Sequence, residues 1–222
     1  MSSDNRSGEI KQAIRDRIAE ERANWESLVA EVDPAWVTEP GPMGEWSFKD
    51  AVAHIAGWRQ RWVDELVAAV QGTPIPTYDW PYTYEESEEQ SPEGDAKTEA
   101  INEWLFDQSR KRTYDQVLAQ IALQFATMQG AVELMPDELI EGTDTVAGSS
   151  GRSLVERLVS GDAFSHYHDE HEPEIRAWLD RRRTGEGSAG SGSAATTCGE
   201  CGGAIEQDDL VCPHCGISLV SG

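Results

Sequence analysis

Residues 47–66, SFKDAVAHIAGWRQRWVDEL, contain a regular helical pattern within this 222-residue chain. Ser47 stands three positions before Asp50, as in a capping box in which Asp replaces Glu, and the pattern ends near Gly72 and Pro74. Between these ends, apolar residues recur every three or four positions: Ala51, Ile55, Trp58, Trp62 and Leu66. The stretch therefore predicts a long helix with one face buried against other helices.

Three more long segments have the same periodicity. Residues 8–32 form a stripe of apolar side chains with charged residues between them, and residues 113–132 repeat in heptads. A fourth helix is predicted over residues 153–183. Four long helices predict an all-α fold, a four-helix bundle over residues 8–183.

The connection between the second and third long helices is long and acidic. Residues 73–96 are rich in Pro and Tyr and then in carboxylates, which predicts a surface loop. A short helical segment is predicted at residues 102–108. Loops of this length are often functional.

The end of the chain differs from the bundle in composition. Residues 184–197, TGEGSAGSGSAATT, lack large apolar side chains and predict a flexible linker. Residues 198–218 contain two CxxC pairs, ten residues apart, and resemble the zinc-ribbon family. The predicted zinc ligands are Cys198, Cys201, Cys212 and Cys215. Because four thiolates close the coordination sphere of Zn²⁺, we expect this zinc to be structural.

The chain is strongly acidic, with 18 Lys and Arg against 41 Asp and Glu and a formal net charge of −23. Such a charge repels nucleic acid and anionic membranes, and residues 198–222 contain no Lys or Arg, so we expect neither as a partner. The charged first 25 residues do not resemble a secretory signal, and paired CxxC motifs favour metal over disulfides, which predicts a cytoplasmic location. The expected partners are a small molecule and, through the ribbon, another protein; a homodimer is also compatible with the sequence.

Four histidines fall in the predicted bundle: His54 in the second helix, and His166, His168 and His171 in the fourth. One histidine from the second helix and two from the fourth can form a three-nitrogen metal site with an open position. On an α-helix His168 and His171 share a face, whereas His166 pairs with Glu170. The alternative is that His54 is a partly buried core residue and that HYHDEH is a solvated stretch.

If the bundle binds metal, His54 and Glu170 are the candidate catalytic residues, with Glu170 or Asp169 as general base or as a residue that orients a ligand. Four aromatic residues lie at helical spacing, which favours the core over a substrate pocket: Trp58, Trp62, Tyr167 and Trp178.

Three segments occur in order over residues 44–178: GEWSFKDAVAHIAGW, INEWLFDQSRKRTYDQVLAQI and HYHDEHEPEIRAW. Together they resemble the DinB-like superfamily and are most similar to its ClbS/DfsB four-helix-bundle branch. The resemblance implies a bundle that often binds a divalent metal through one histidine of the second helix and an HxxxH pair of the last. It aligns His54 and His171 with two of these ligands, but Tyr167 occupies the third position, so His168 or His166 must substitute.

The DinB-like superfamily includes thiol-dependent isomerases and transferases, and its ClbS branch is associated with protection against a DNA-damaging metabolite by cyclopropane hydrolysis. The resemblance therefore implies a metal-dependent hydrolase or a thiol-dependent transferase that acts on a small reactive or toxic molecule, with a second divalent metal in the bundle. The alternative is a non-catalytic small-molecule-binding or stress-response protein whose ribbon contacts a protein partner.

Overall fold

The computed structural model describes residues 3–87, 90–141, 153–184, 196–197 and 204–205. The helices in these ranges are α1 (Ser3–Ala30), α2 (Phe48–Gln71), α3 (Tyr84–Ser87), α4 (Pro92–Ser109), α5 (Tyr114–Leu134), α6 (Asp137–Glu141), α7 (Leu154–Ser160) and α8 (Glu172–Thr184). A 3-10 turn (Asp162–Phe164) and a π-helix (His166–His171) lie between α7 and α8. The same ranges contain two short antiparallel strand pairs: β1 (Pro40–Met43) with β2 (Trp46–Ser47), and β3 (Thr196–Thr197) with β4 (Ala204–Ile205).

The hydrophobic core lies between the long helices. Helix α2 packs against α4 and α5, and α1 packs against α5 and α7. The largest fully buried side chains come from several of these elements: Ile14, Ile18 and Leu28 of α1, Phe48, Ile55 and Leu66 of α2, and Ile121, Phe125 and Met128 of α5. The prediction of an all-α fold is confirmed.

Helix α2 begins and ends as its sequence predicts. The Ser47 hydroxyl accepts a hydrogen bond from the backbone N–H of Asp50 at 3.2 Å, and the Asp50 carboxylate accepts one from the backbone N–H of Ser47 at 3.0 Å. The C-cap residue Gly72 has a φ of +67°, the left-handed conformation that glycine adopts without strain. The Ser109 hydroxyl also donates to Asp50 at 2.5 Å, which fastens the start of α2 to the end of α4.

The predicted surface loop at residues 73–96 and the short segment at 102–108 are both corrected by the structure. The short helix α3 lies inside the loop range, and α4 is an 18-residue helix that begins at Pro92. Ser91 caps α4 by accepting from the backbone N–H of Gly94 at 3.1 Å. Proline favours the first helical position, and Glu93 and Asp95 lie where the positive end of the helix dipole stabilises carboxylates. The acidic composition that indicated a loop therefore suits a helix N-terminus.

The predicted fourth helix, residues 153–183, is not continuous. Helix α7 ends at Gly161, which has a φ of +85°. A Cβ atom at this position would lie 2.6 Å from Nη2 of Arg17, so both the backbone conformation and the close approach of α1 require glycine. The 3-10 turn and the π-helix follow this break, and they decide which histidines face the interior.

The chain divides into two compact units, Met1–Leu179 and Asp180–Gly222. The predicted boundaries at 8–183, 184–197 and 198–218 stay predictions. The cysteines of the predicted zinc ribbon, Cys198, Cys201, Cys212 and Cys215, lie outside the described residues. Across the described parts of the chain, every helix is too short or too polar to span a bilayer.

Candidate metal site

Three histidine side chains from two elements converge inside the helical unit. Nε2 of His171 lies 3.1 Å from Nε2 of His54 and 2.9 Å from Nε2 of His166. All three residues offer a ligand atom within 4.8 Å of the others. His54 and His171 are buried, and His166 is partly buried. Three imidazole nitrogens of this kind could hold a metal ion.

The π-helix explains why His166, and not His168, joins this group. The backbone N–H of Glu172 bonds to the carbonyl of Tyr167, five residues earlier, instead of four as in an α-helix. A turn that contains one extra residue places His166 on the same side as His171, five positions later. The α-helical geometry assumed from the sequence paired His168 with His171, so the structure corrects that pairing.

His168 points toward α1 instead. Its Nε2 lies 2.5 Å from a carboxylate oxygen of Glu21, and its Nδ1 lies 2.6 Å from a carboxylate oxygen of Glu172. Burial disfavours the charged imidazolium, but the hydrogen bonds to Glu21 and Glu172 outweigh it and raise the pKa of His168. His168 therefore anchors the π-helix to α1 and α8 and has no free ring nitrogen for a metal ion.

The three converging histidines are electrostatically suited to act as ligands. Burial, together with the charges of His166 and His171, lowers the pKa of His54 to about 2. Burial, His171 and Arg59 lower the pKa of His166 to about 3, and burial lowers the pKa of His171 to about 4. All three rings are neutral at physiological pH, so their nitrogens can offer lone pairs to a cation.

The spacing of the nitrogens also fits a metal. Two ligands at the usual Zn–N distance in a tetrahedral site are about 3.3 Å apart, close to the separations of His171 from His54 and His166. Metal-bound histidines usually donate their second ring N–H to an acceptor, but Nδ1 of His54 and Nδ1 of His171 have no hydrogen-bond partner among the described residues. The His54 ring is held by edge-to-face packing, at 5.3 Å from the Trp46 ring and 6.5 Å from the Trp58 ring.

The histidines open into a cavity of about 720 Å³, a volume suited to a small organic ligand. Glu170 lines this cavity with its carboxylate 3.7 Å from Nε2 of His166. Asp169, the other acid considered from the sequence, lies outside it. Aromatic and polar side chains make up much of the remaining wall: Trp46, Trp58, Trp62, Tyr84, Asn102, Phe164 and Tyr167.

The aromatic residues singled out in the sequence divide between the two roles considered. Trp58, Trp62 and Tyr167 line the cavity. Trp178 belongs to the core, stacked on Phe48 at a centroid distance of 5.8 Å. Tyr167 also belongs to the core, with a relative exposure of 2%, so the core assignment holds for Trp178 and Tyr167.

Several cavity residues were not identified from the sequence, among them Asn102 and Arg59. Asn102 accepts a hydrogen bond from Nε1 of Trp58 at 3.0 Å. The neighbouring Gly57 allows α4 to pack this closely against α2, because a side chain at Gly57 would collide with Leu105. Arg59 lies in the buried wall. The sequence does distinguish Arg59, because this charged residue stands four positions after Ile55, where the helical pattern of α2 predicts an apolar side chain.

The fold and the site together define an all-α helical-bundle protein with three histidines able to hold a metal in the wall of a cavity. Residues 18–169 match the mycothiol maleylpyruvate isomerase N-terminal domain family, so the chain belongs to that family. This family is a member of the DinB-like helical superfamily, which confirms the resemblance at that level, and it is associated with mycothiol-dependent enzymes. No curated protein and no solved structure matches the chain.

Proposed function

We propose that the protein is a metal-dependent enzyme that joins a low-molecular-weight thiol to a small electrophile, or isomerises that electrophile with the help of the thiol. The observation that carries this proposal is the convergence of the Nε2 atoms of His54, His166 and His171 in a cavity of about 720 Å³. Membership of a family associated with mycothiol-dependent enzymes favours thiol chemistry over the hydrolysis considered for the ClbS/DfsB branch.

A bound divalent cation such as Zn²⁺ would lower the pKa of a thiol or water molecule that reaches it. His54, His166 and His171 would hold the ion, since all three are neutral. Glu170 is the candidate general base, because its carboxylate lines the cavity 3.7 Å from the ligand nitrogen of His166. The aromatic side chains of the cavity wall offer an apolar surface for the body of the substrate.

The second candidate is a non-catalytic small-molecule-binding or stress-response protein. It is favoured by the Nδ1 atoms of His54 and His171, which lack the acceptors that usually orient metal-bound histidines. In this case Nε2 of His171, which carries either one proton or one lone pair, hydrogen-bonds to one of the two neighbouring rings in the wall of a ligand cavity.

For the tail, the proposal keeps Cys198, Cys201, Cys212 and Cys215 as the ligands of a structural zinc. Their spacing supports a ribbon, and the absence of Lys and Arg from residues 198–222 supports contact with a protein over contact with nucleic acid. We further propose that the protein works in the cytoplasm, where reduced thiols are abundant.

Metal content of the full chain separates the two candidates. The enzyme proposal predicts two ions per purified wild-type chain, one after His54→Ala and one after joint replacement of Cys198 and Cys201 by serine. Arg22→Met is the control and should retain two ions, because Arg22 is paired with Glu26 on α1 and lies outside the cavity lining. A wild-type chain with a single ion that survives His54→Ala would refute the metal proposal and favour the non-catalytic candidate.

A further inference from the structure

Arg59 is a buried charge for which the described protein provides no matching carboxylate. Its side chain is part of the interior, with a relative exposure of 4%, and its Nη1 has no hydrogen-bond partner among the described residues. The guanidinium faces three aromatic rings, at 5.8 Å from the Trp25 centroid, 5.1 Å from Phe125 and 5.6 Å from Phe164. Burial lowers its pKa to about 10, so Arg59 is still charged at neutral pH.

The acidic group whose charge acts on Arg59 is already engaged elsewhere. Glu21 raises the pKa of Arg59 through its charge, but one Glu21 oxygen lies 2.7 Å from Nη2 of Arg17 and the other lies 2.5 Å from Nε2 of His168. Arg157, the other arginine in the cavity wall, differs from Arg59, because its Nη1 is bound by Glu65 at 2.7 Å. Arg59 is therefore the cavity arginine without an ion-pair partner among the described residues.

Arg59 lies beside the histidines. It lines the same cavity, and its charge contributes to the low pKa of His166, after burial and His171. A buried charge costs several kcal/mol unless a counter-charge or hydrogen bonds satisfy it. A cation held by three aromatic rings at the wall of a ligand-sized cavity thus provides a fixed positive charge for an incoming anion.

We propose that Arg59 binds the carboxylate of a small substrate whose apolar body lies against the aromatic wall of the cavity. The planar guanidinium matches a carboxylate in two parallel hydrogen bonds, and a single negative charge is favoured over a doubly charged phosphate by the strongly acidic protein. The apolar body would contact Trp58, Trp62 and Phe164. This inference rests on the proposed function, because it names the substrate class of the same cavity.

Matched acids and amides test the charge requirement. Benzoate and 3-phenylpropanoate, each compared with its neutral amide, are titrated into the full chain by calorimetry or through tryptophan fluorescence. We expect the wild-type protein to bind each acid about tenfold or more tightly than its amide. This preference should vanish in Arg59→Met and shrink in Arg59→Lys, which keeps the charge but loses the planar fork. Equal affinities in the wild-type protein, or no binding of any of the four compounds, would overturn the inference.

Arg22→Met is the control for loss of one positive charge. Arg22 is paired with Glu26 on α1, lies outside the cavity lining and should leave the preference for the acids unchanged. If Arg59→Met unfolds, Arg59→Lys alone decides, since a full wild-type preference in that folded variant contradicts bidentate binding.

Repeating the titrations after treatment with a chelator separates this inference from the metal proposal. A preference for the acids that survives metal removal and is lost in Arg59→Met supports Arg59 even if the histidines bind no metal. A preference that disappears with the metal and persists in Arg59→Met assigns the carboxylate to the ion and refutes the role of Arg59.

Discussion

In the metal-free protein, the buried histidines make the free energy of unfolding depend on pH. The ordinary pKa of histidine is 6.5, whereas the folded protein holds His54 at about 2 and His171 at about 4. As pH falls below 6.5, the unfolded chain takes up protons that the folded chain does not. The stability of the folded state is therefore complete above this pH and is lost as the solution becomes acidic.

The size of the effect follows from the linkage relation. One pH unit below the unfolded pKa, a histidine that stays neutral in the folded state lowers the free energy of unfolding by about 1.4 kcal/mol. His54→Gln removes this penalty for one ring. The difference in stability between wild type and His54→Gln should thus move by about 1.4 kcal/mol in favour of the variant between about pH 7.5 and about pH 5.5.

His168→Gln is the matched variant, with the opposite sign. Because the pKa of His168 is raised by Glu21 and Glu172, its contribution is fully present below the unfolded pKa and is lost as pH rises through the folded pKa. His168→Gln should therefore be most destabilising at acidic pH, where His54→Gln is least so.

Urea unfolding in the presence of a chelator, followed by tryptophan fluorescence over a pH series, measures these differences. Equal m-values in the three proteins would show that the compared states bury similar surface. A stability difference between wild type and His54→Gln that is independent of pH, or that moves in favour of wild type on acidification, would refute the burial of a neutral His54.

Two further predictions concern the interrupted fourth helix. Deleting Asp169, an exposed residue of the π-helix, shortens the spacing of His166 and His171 to four, which an α-helix accommodates. If the proposed bundle metal ion is bound, elemental analysis should find it in the deletion variant, whereas an alanine inserted after Asp169 should remove it. Gly161→Ala should lower the free energy of unfolding by about 1–2 kcal/mol, because the backbone is left-handed there and the new Cβ would approach Arg17. Gly130→Ala should raise it by up to about 1 kcal/mol, because this helical glycine has open space around it. Calorimetric melting curves that show a change of the same sign for both variants would contradict this prediction.

The parts of the fold that local sequence determines were predicted well. Both ends of helix α2 are determined by local residues, the cap at Ser47 and the stop at Gly72. Its apolar stripe is also recognisable from the spacing of residues within the helix, without reference to distant contacts. The full length of helix α4 is not predicted, because its N-terminal residues resemble a loop in their acidic composition, although Ser91 and Pro92 form a cap and a first turn.

The register of the histidines could not be predicted in the same way. Periodicity assumes an α-helix, but the π-helix is stabilised by contacts between distant parts of the chain, including the bond of His168 to Glu21, 147 residues away. The resemblance placed His54 and His171 at matching positions and left His166 and His168 as alternatives for the third ligand. The extra residue between His166 and His171, relative to the HxxxH pattern, is the one that the π-helix accommodates.

A common feature of the site residues is that they are polar at positions where the helical stripe calls for an apolar side chain. Glu21 lies between Ile18 and Trp25 on α1, and Arg59 follows Ile55 on α2. Each costs folding free energy unless a partner satisfies it. Glu21 has its partners within the protein, in Arg17 and His168. Arg59 and the neutral histidines beside it keep unused binding capacity directed at one cavity, and a ligand that uses this capacity would stabilise the folded state.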